Sequence, residues 1–440
     1  MASIPQTSLF EWQDVDDIGD LVRLEFVLEN LPDEPLMCAL EKKRKKGRND
    51  YPVREIWNSL LAGIVFGHET LESLRRELQR NGQLRQLCGF DPVLGIRAVP
   101  TSSAYSRFLY SLIAHQHLID QLFERMVHAY GTLHQDFGRV LAIDGKALPS
   151  FAPGEKKNGC AHDDHRGEHD AKWGKHEYKG THENGTLWQT VKSWFGFTLH
   201  LVVDANHELP VGYEITDATA NEMPVANLLL DSLAEDYDWL MERCEYLCGD
   251  RGLDDGKIVT RSWDEYGIKP VIDIRNCWKD PDETKLVPGT ENVVYDYAGT
   301  VKCVCPRHGK HYEMAYGGFE KDRGSLKYRC PARHYGHECA GMDACTISHS
   351  VRISLSVDRR VFTPLARSSY KWQDIYDKRT AVERVNSRLD TSFGFEHHTI
   401  RGLAKMQFRV SLALCVMLAI AIGWTKKERP ELVRSLLKAG

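Results

Sequence analysis

KWQDIYDKRTAVERVNSRLD, residues 371–390, divides into two faces when laid on a helix. Its apolar residues Ile375, Val382, Val385 and Leu389 fall within about 80° of one another, the stripe with which a helix sits on a core. Tyr376, Arg379, Thr380, Glu383, Ser387 and Asp390 fill an adjacent sector of about 100°. A phenol, a guanidinium and a carboxylate therefore line the flank of a packed helix. A half-buried helix with an i,i+4 pair between Arg379 and Glu383 accounts for this alone, at a few tenths of a kcal/mol. A functional reading needs partners for Glu383 elsewhere in the chain.

Working outward, the chain offers two acids at the ends of apolar runs. Val140 to Ile143 is a short buried-strand pattern closed by Asp144 and Gly145, and Cys244 to Cys248 is another, closed by Gly249 and Asp250. Between them, Trp194 to Asp204 and Val211 to Thr216 read as strands, and Asn221 caps an amphipathic helix through Leu233. A helix near Asp255 to Trp263 and a strand at Val271 to Ile274 follow. This order predicts an α/β fold, a mixed sheet covered by helices. The helix at 371–390 can bring Glu383 to the edge that carries Asp144 and Asp250. Pro149 to about Gln189 is polar and His-rich, and reads as a solvated loop with irregularly spaced metal-capable side chains.

Upstream the pattern is helical. Val53, Ile56, Trp57, Leu60, Leu61 and Ile64 recur at helix spacing, as do Leu71, Leu74 and Leu78. Pro100, Thr101 and Ser102 open a helix that presents Ser103, Ser106 and Arg107 near its start, the layout of a recognition helix and equally of a bundle helix. Residues 1–40 read as a poorly patterned acidic leader; residues 11–34 hold nine acids against Arg23. The basic run Lys42, Lys43, Arg44, Lys45, Lys46 and Arg48 follows, either solvated or touching phosphate. The net charge of −5 hides this asymmetry. No basic region followed by an apolar run opens the chain, which predicts a cytoplasmic location. Val410 to Trp424 is short for a membrane span and reads as a core helix. Twelve cysteines without an export signal point to thiols or metal ligands rather than disulfides.

Two acids from strands and one from a helix make an oxygen cage for hard cations, Mg²⁺ above all, and two such ions would stabilise an in-line displacement on phosphorus. AIDGKAL around Asp144, LCGDRGLDDGKIV around Asp250, and the spacing of Tyr376, Arg379 and Glu383 resemble the three catalytic blocks of insertion-sequence DDE transposases. WFGFTLHLVVDANHELPVGYEITDATANEMP resembles the segment between that family's first two acids, and YPVREIWNSLLAGIVFGHETLESLRREL its helical N-terminal domain. The likeness runs from about Tyr51 to Trp424. It implies an RNase H-like core, Asp144, Asp250 and Glu383 as catalytic ligands of Mg²⁺ or Mn²⁺, and Tyr376 and Arg379 as DNA contacts. Lys146, Arg107, Lys45 and Lys46 are further candidate DNA contacts. The family's signature Lys, seven residues after the Glu, is Asp390 here, and Arg388 lies on another face.

Between the second and third acids the family carries a β-rich insertion. Asn276 to about Ser369, with short alternating runs at Glu291–Tyr297 and Ser350–Leu355, fits it. Cys305, Cys330, Cys339 and Cys345 in this stretch suit a ribbon-like Zn²⁺ site, or are reduced cysteines of a small β-domain. The expected organisation is a leader (1–40), a helical DNA-binding domain (41–135), the first part of the core (136–275), the insertion (276–370) and the C-terminal core helices (371–440). The expected function is cleavage at transposon ends and transfer of the 3′-hydroxyl into target DNA by a homodimer on double-stranded DNA. A metal-dependent nuclease, an inactive DNA-binding relative and a zinc-dependent DNA-binding regulator stay open beside it.

Overall fold

The computed structural model describes residues 19–44, 50–152, 168–181, 186–278, 284–347 and 349–434. Lys45, Lys46 and residues 153–167 and 182–185 of the His-rich segment lie outside the described residues. The chain opens with helices α1 (Val22–Asn30), α2 (Glu34–Arg44), α3 (Val53–Val65), α4 (Leu71–Arg80), α5 (Gly82–Leu87), α6 (Ser102–Ile113) and α7 (Gln116–Leu133). The sheet strands are β1 (Val140–Pro149), β2 (Lys172–Thr181), β3 (Leu187–Asp204), β4 (Leu209–Asp217), β5 (Tyr246–Gly249) and β6 (Lys269–Ile272). Helices α8 (Glu222–Asp236) and α9 (Asp238–Arg243) precede β5, and α10 (Gly256–Asp264) precedes β6.

The sheet order is β2-β3-β1-β5-β6, with β4 also paired to β3. β1 is antiparallel to β3, and β4 to β3, whereas β1, β5 and β6 are parallel. Every residue from Val140 to Ile143 and from Tyr246 to Gly249 is buried, so both faces of the central strands are covered. Asn221 accepts the Met223 N–H at 3.1 Å to start α8, as the sequence predicts. Asp255 caps α10 in the same way, and Thr101 caps α6. The strand expected at Val271–Ile274 pairs two residues earlier.

The insertion holds β7 (Lys285–Leu286), β8 (Val293–Tyr295), β9 (Val301–Val304), β10 (His311–Glu313), β11 (Ala315–Glu320), β12 (Ser325–Arg329), helix α11 (Pro331–Tyr335) and β13 (Ser350–Ser354). They form two small sheets, β10-β9-β8-β7 and β11-β12-β13, around a hydrophobic cluster of their own. The chain then returns to the main sheet with α12 (Tyr370–Asp377), α13 (Thr380–Phe393) and α14 (Leu403–Lys426). Helix α14 is long and apolar enough to cross a membrane by length and composition, and 89% of its apolar window is buried. It is the core helix that the sequence predicts, packed on α7, α1, α3 and β4.

Four expectations are corrected. The acidic leader contains α1 and α2, which bury Leu24, Phe26, Val27, Leu36, Met37 and Leu40; the acids on their outer faces mask this short apolar stripe. Asp144 does not end its strand. β1 continues to Pro149 because β3 pairs it throughout, but β5 accompanies it only through Ala142, so Asp144 stands where one neighbour stops. The second half of the His-rich segment is a strand, β2, held by backbone bonds to residues 187–196; Lys172, Trp173, Lys175 and Glu177 on it are exposed, so no apolar alternation marked it. The helix at 371–390 is two helices. Bonds from Lys378 to Ile375, Arg379 to Tyr376, Ala381 to Lys378 and Val382 to Arg379 span three residues instead of four and tighten the chain at Arg379.

The stripe itself holds across that break. Ile375, Val382, Val385 and Leu389 are buried, each contributing about 2 kcal/mol by area. α13 packs on β1 and β3 and α12 on β5 and β6, where the Cys248 thiol donates to the Ile375 carbonyl at 3.4 Å. The helices of residues 19–133 share one continuous hydrophobic cluster with the sheet. A fragment confined to 41–135 would expose the faces that α14 and the sheet cover. It is expected to show no cooperative thermal transition by circular dichroism, and a sharp transition would mean that these helices carry a self-sufficient core.

Candidate active site

The parallel strand β5 stops at Gly249, and Asp250 follows at once, capping a short turn by accepting the Gly252 N–H at 2.7 Å. Asp144 is its neighbour on β1. Burial pushes the Asp144 carboxyl up to about 7, with the Asp250 and Glu222 charges adding to the effect and the Gly145 N–H and Arg379 opposing it. Glu222 is a side chain that the sequence reading passed over. It lies in the first turn of α8, and burial followed by the Asp250 charge raises its carboxyl too. A Cβ on Gly145 would stand 2.7 Å from Glu222 Oε1, and one on Gly252 would stand 2.8 Å from Glu222 Oε2 and from Asp250 Oδ1. The glycines beside the two acids thus make room for a third carboxylate between them. The signal available in the sequence was its place directly after the cap Asn221, where an acid is ordinarily read as a helix-dipole partner.

Glu383 reaches the same edge less directly. Its side chain is 51% exposed and pairs with Arg379 at 2.8 Å, and Arg379 is itself an electrostatic neighbour of Asp144. The guanidinium therefore pairs with Glu383 while its charge also acts on the Asp144 carboxylate. Tyr376 stacks on Trp372 at 4.8 Å and lies 5.8 Å beneath the Arg379 guanidinium. The tightened turn at Arg379 sets this side chain toward the sheet. From the other side β2 delivers His176, stacked on Trp194, as a charge neighbour of Glu222.

Lys146 lies two residues beyond Asp144, on the same face of β1, and its ammonium bonds Asp390 at 2.6 Å. Both ends of this pair are largely withdrawn from solvent, the side chains being 12% and 34% exposed. Arg388 is buried against Glu208 on the β3–β4 turn, away from this edge. Arg107 is exposed on α6, outside the cluster of acids. It neighbours a groove of about 550 Å³ where Lys405 lies over Tyr110 and Arg401 over Phe151.

Among the described residues, the three potential metal ligands whose donor atoms all lie within 4.8 Å are His134, Asp136 and His207. They close the opposite end of the sheet, where Tyr130 bonds His207 at 3.0 Å and Thr425 bonds His134 at 3.0 Å. Both histidines are thus engaged in joining α7, α14 and the β3–β4 turn.

Hard oxygen donors on the open edge of a mixed sheet, with a guanidinium beside them, suit metal-assisted phosphoryl transfer. The chain belongs to the DDE transposases: the transposase DDE domain matches residues 135–419, more than half of its length. It is similar to the piggyBac transposase solved in a synaptic complex with hairpin DNA, at 10% identity and a TM-score of 0.38 over 97% of this chain and 80% of that one. No curated protein matches it.

Proposed function

We propose that this transposase cuts one strand at a transposon end and joins the freed 3′-hydroxyl to target DNA, at the edge where Asp144, Asp250 and the Arg379–Glu383 pair meet. That convergence is the observation that carries the reading. The strand order, antiparallel β1, β3 and β4 followed by parallel β5 and β6, supports an RNase H-like core. The open edge suits a duplex: a cavity of about 830 Å³ is at the far end of the sheet, and Asp144, Glu222, Asp250 and Glu383 do not line it.

The residues fit divalent cations. Asp144, Asp250 and Glu222 are close neighbours, and burial first and then the Asp250 and Glu222 charges raise the Asp144 carboxyl, an effect that a bound cation would oppose. Asp144 and Asp250 would hold Mg²⁺ or Mn²⁺, with Glu383 joining when Arg379 turns to a phosphate. When bound, such ions supply the charge that stabilises the attacking and leaving oxygens. Arg379 presents a planar fork to a non-bridging phosphate oxygen pair, and Tyr376 fixes the fork from below. Glu222 closes the buried side of the site. Two copies of the chain would engage two ends, acting in the cytoplasm on chromosomal DNA.

The test uses the full chain with Mg²⁺ and a duplex carrying the inverted repeats that flank its coding region. Nicked ends and joined products on a denaturing gel are expected. Cutting without joining points to a nuclease, and binding without cutting to a DNA-binding relative.

Two further outcomes follow. Arg379→Lys keeps the charge but loses the fork, and is expected to cleave about tenfold more slowly, near 1.4 kcal/mol, with unchanged melting. Unchanged cleavage would return Arg379 to a surface ion pair. Replacing both Arg401 and Lys405 by Ala is expected to weaken end binding and to flatten its salt dependence by nearly two units of slope, because both cations would meet phosphate. An unaltered slope, read by fluorescence anisotropy across a salt series, would move the DNA path off this groove.

A further inference from the structure

Five cysteines from separate segments of the insertion surround one cavity of about 20 Å³, with Asn292, His337 and Glu338 also on its wall. A space of about 10–15 Å³ holds a single water-sized occupant. Cys303 and Cys305 come from β9 and the residue following it, Cys330 from the end of β12, and Cys339 and Cys345 from the chain between α11 and β13. None of them is in a disulfide. The buried thiols of the main core, Cys88, Cys244, Cys248 and Cys415, are not gathered in this way.

The backbone is folded around the sulfurs. The Gly341 segment lies directly against the Cys305 sulfur. A Cβ at Gly341 would stand 2.8 Å from Cys305 Sγ and 2.9 Å from Pro306 Cδ, so only glycine lets this segment approach. Asn292 Nδ2 donates to Cys345 Sγ at 3.3 Å. A side-chain amide donor on a sulfur is the kind of outer contact that orients a metal-bound thiolate.

We propose that the insertion holds a structural Zn²⁺ on Cys305, Cys330, Cys339 and Cys345. All-sulfur tetrahedra are the closed, structural type of zinc site, and soft thiolates select zinc over the harder Mg²⁺, Ca²⁺ and Mn²⁺. These four lie outside regular strands, free to turn toward an ion, whereas Cys303 is fixed within β9 between Val293 and Tyr312. Among the described residues no three thiols lie within 4.8 Å of one another, so binding draws the loops inward by a short side-chain movement. The purpose is mechanical. Cys305 ends the four-stranded sheet and Cys330 ends a strand of the three-stranded one, so a shared ion fastens together two sheets whose strands are only two to six residues long.

The full chain, purified without chelators, is expected to carry one zinc per molecule by elemental analysis and to release it to a mercurial that caps thiols. Grown on cobalt, it should show the visible bands of tetrahedral thiolate Co²⁺. Ser at Cys305, Cys330, Cys339 or Cys345 should lower zinc content at least about tenfold, while Cys303→Ser and Cys38→Ser keep it. Zinc-free protein with no cobalt spectrum overturns the proposal, as does full zinc in the Cys305→Ser, Cys339→Ser double variant, or loss on Cys303→Ser alone. Should a variant fail to fold, the cobalt spectrum of the parent decides. Metal content is read without DNA, so the result is independent of the cleavage assay.

Discussion

Asp144→Asn is expected to abolish Mg²⁺-dependent cleavage, by at least about 10³-fold or about 4 kcal/mol of transition-state stabilisation, while end binding persists. Asn keeps the size and one oxygen of the side chain but removes the charge that a hard cation needs. Asp250→Asn should act alike, and the double variant should be no worse than either, since one missing ligand already disables the site. Stability makes a second, independent readout. Because the folded chain holds the Asp144 proton up to about pH 7, protonated Asp144 contributes stability that is fully present below the unfolded pKa near 4. This contribution is lost as pH rises from about 4 through about 7. Asn carries no such dependence. Metal-free Asp144→Asn should therefore match the parent near pH 4 and exceed it above about pH 7, on the order of 2 kcal/mol after allowing for relaxation. Mg²⁺ should stabilise the parent at neutral pH and leave the variant nearly unmoved. Calorimetry at two pH values with and without Mg²⁺ gives all four quantities. A variant no more stable than its parent at high pH would mean that Asp144 is not crowded, and cleavage near the parental rate would remove it from the site.

Much of this framework was legible because its signals are local. Val140–Ile143 and Cys244–Cys248 are apolar runs that end in acids, Asn221 and Thr101 are capping residues, and the stripe of α13 follows helix period; each is set by the burial or bonding of the segment itself. What stayed hidden depends on partners distant in sequence. β2 exists because β3 is long enough to pair it, and a strand whose inward positions are Gly174 and His176 has no apolar period to read. Glu222 looks like a surface acid until β1 and β5 place two glycines against it. The helices of 22–44 are short, and their apolar faces gain meaning only where α14 covers α1 and where α3 and α7 meet α2. Five thiols at irregular spacing converge only after two sheets form. The break at Arg379 is a one-residue change in hydrogen bonding, too small to disturb the helical period of the residues around it.

Lys146→Ala is expected to lower cleavage by about 10²-fold, near 2.7 kcal/mol, with end binding weakened much less. The signature of the DDE transposases that this chain resembles places a Lys where Asp390 stands, and the structure puts an ammonium at that point from the opposite element, 2.6 Å from the Asp390 carboxylate. Asp390 then serves a different end, holding Lys146 in place beside Asp144 while its own charge is offset by the pair. Removing the ammonium leaves Asp390 as one more unpaired acid at an edge already crowded with carboxylates, which costs both DNA positioning and stability. The decisive variant exchanges the two residues. Lys146→Asp alone sets two acids face to face and should inactivate and destabilise the protein. Adding Asp390→Lys restores one cation and one anion in the same space, and should recover melting to near the parent and cleavage to within about tenfold. Recovery of stability without cleavage would show that the pair only ties α13 to β1. Recovery of both places the cation, whichever element carries it, among the groups that steady the DNA strand being cut.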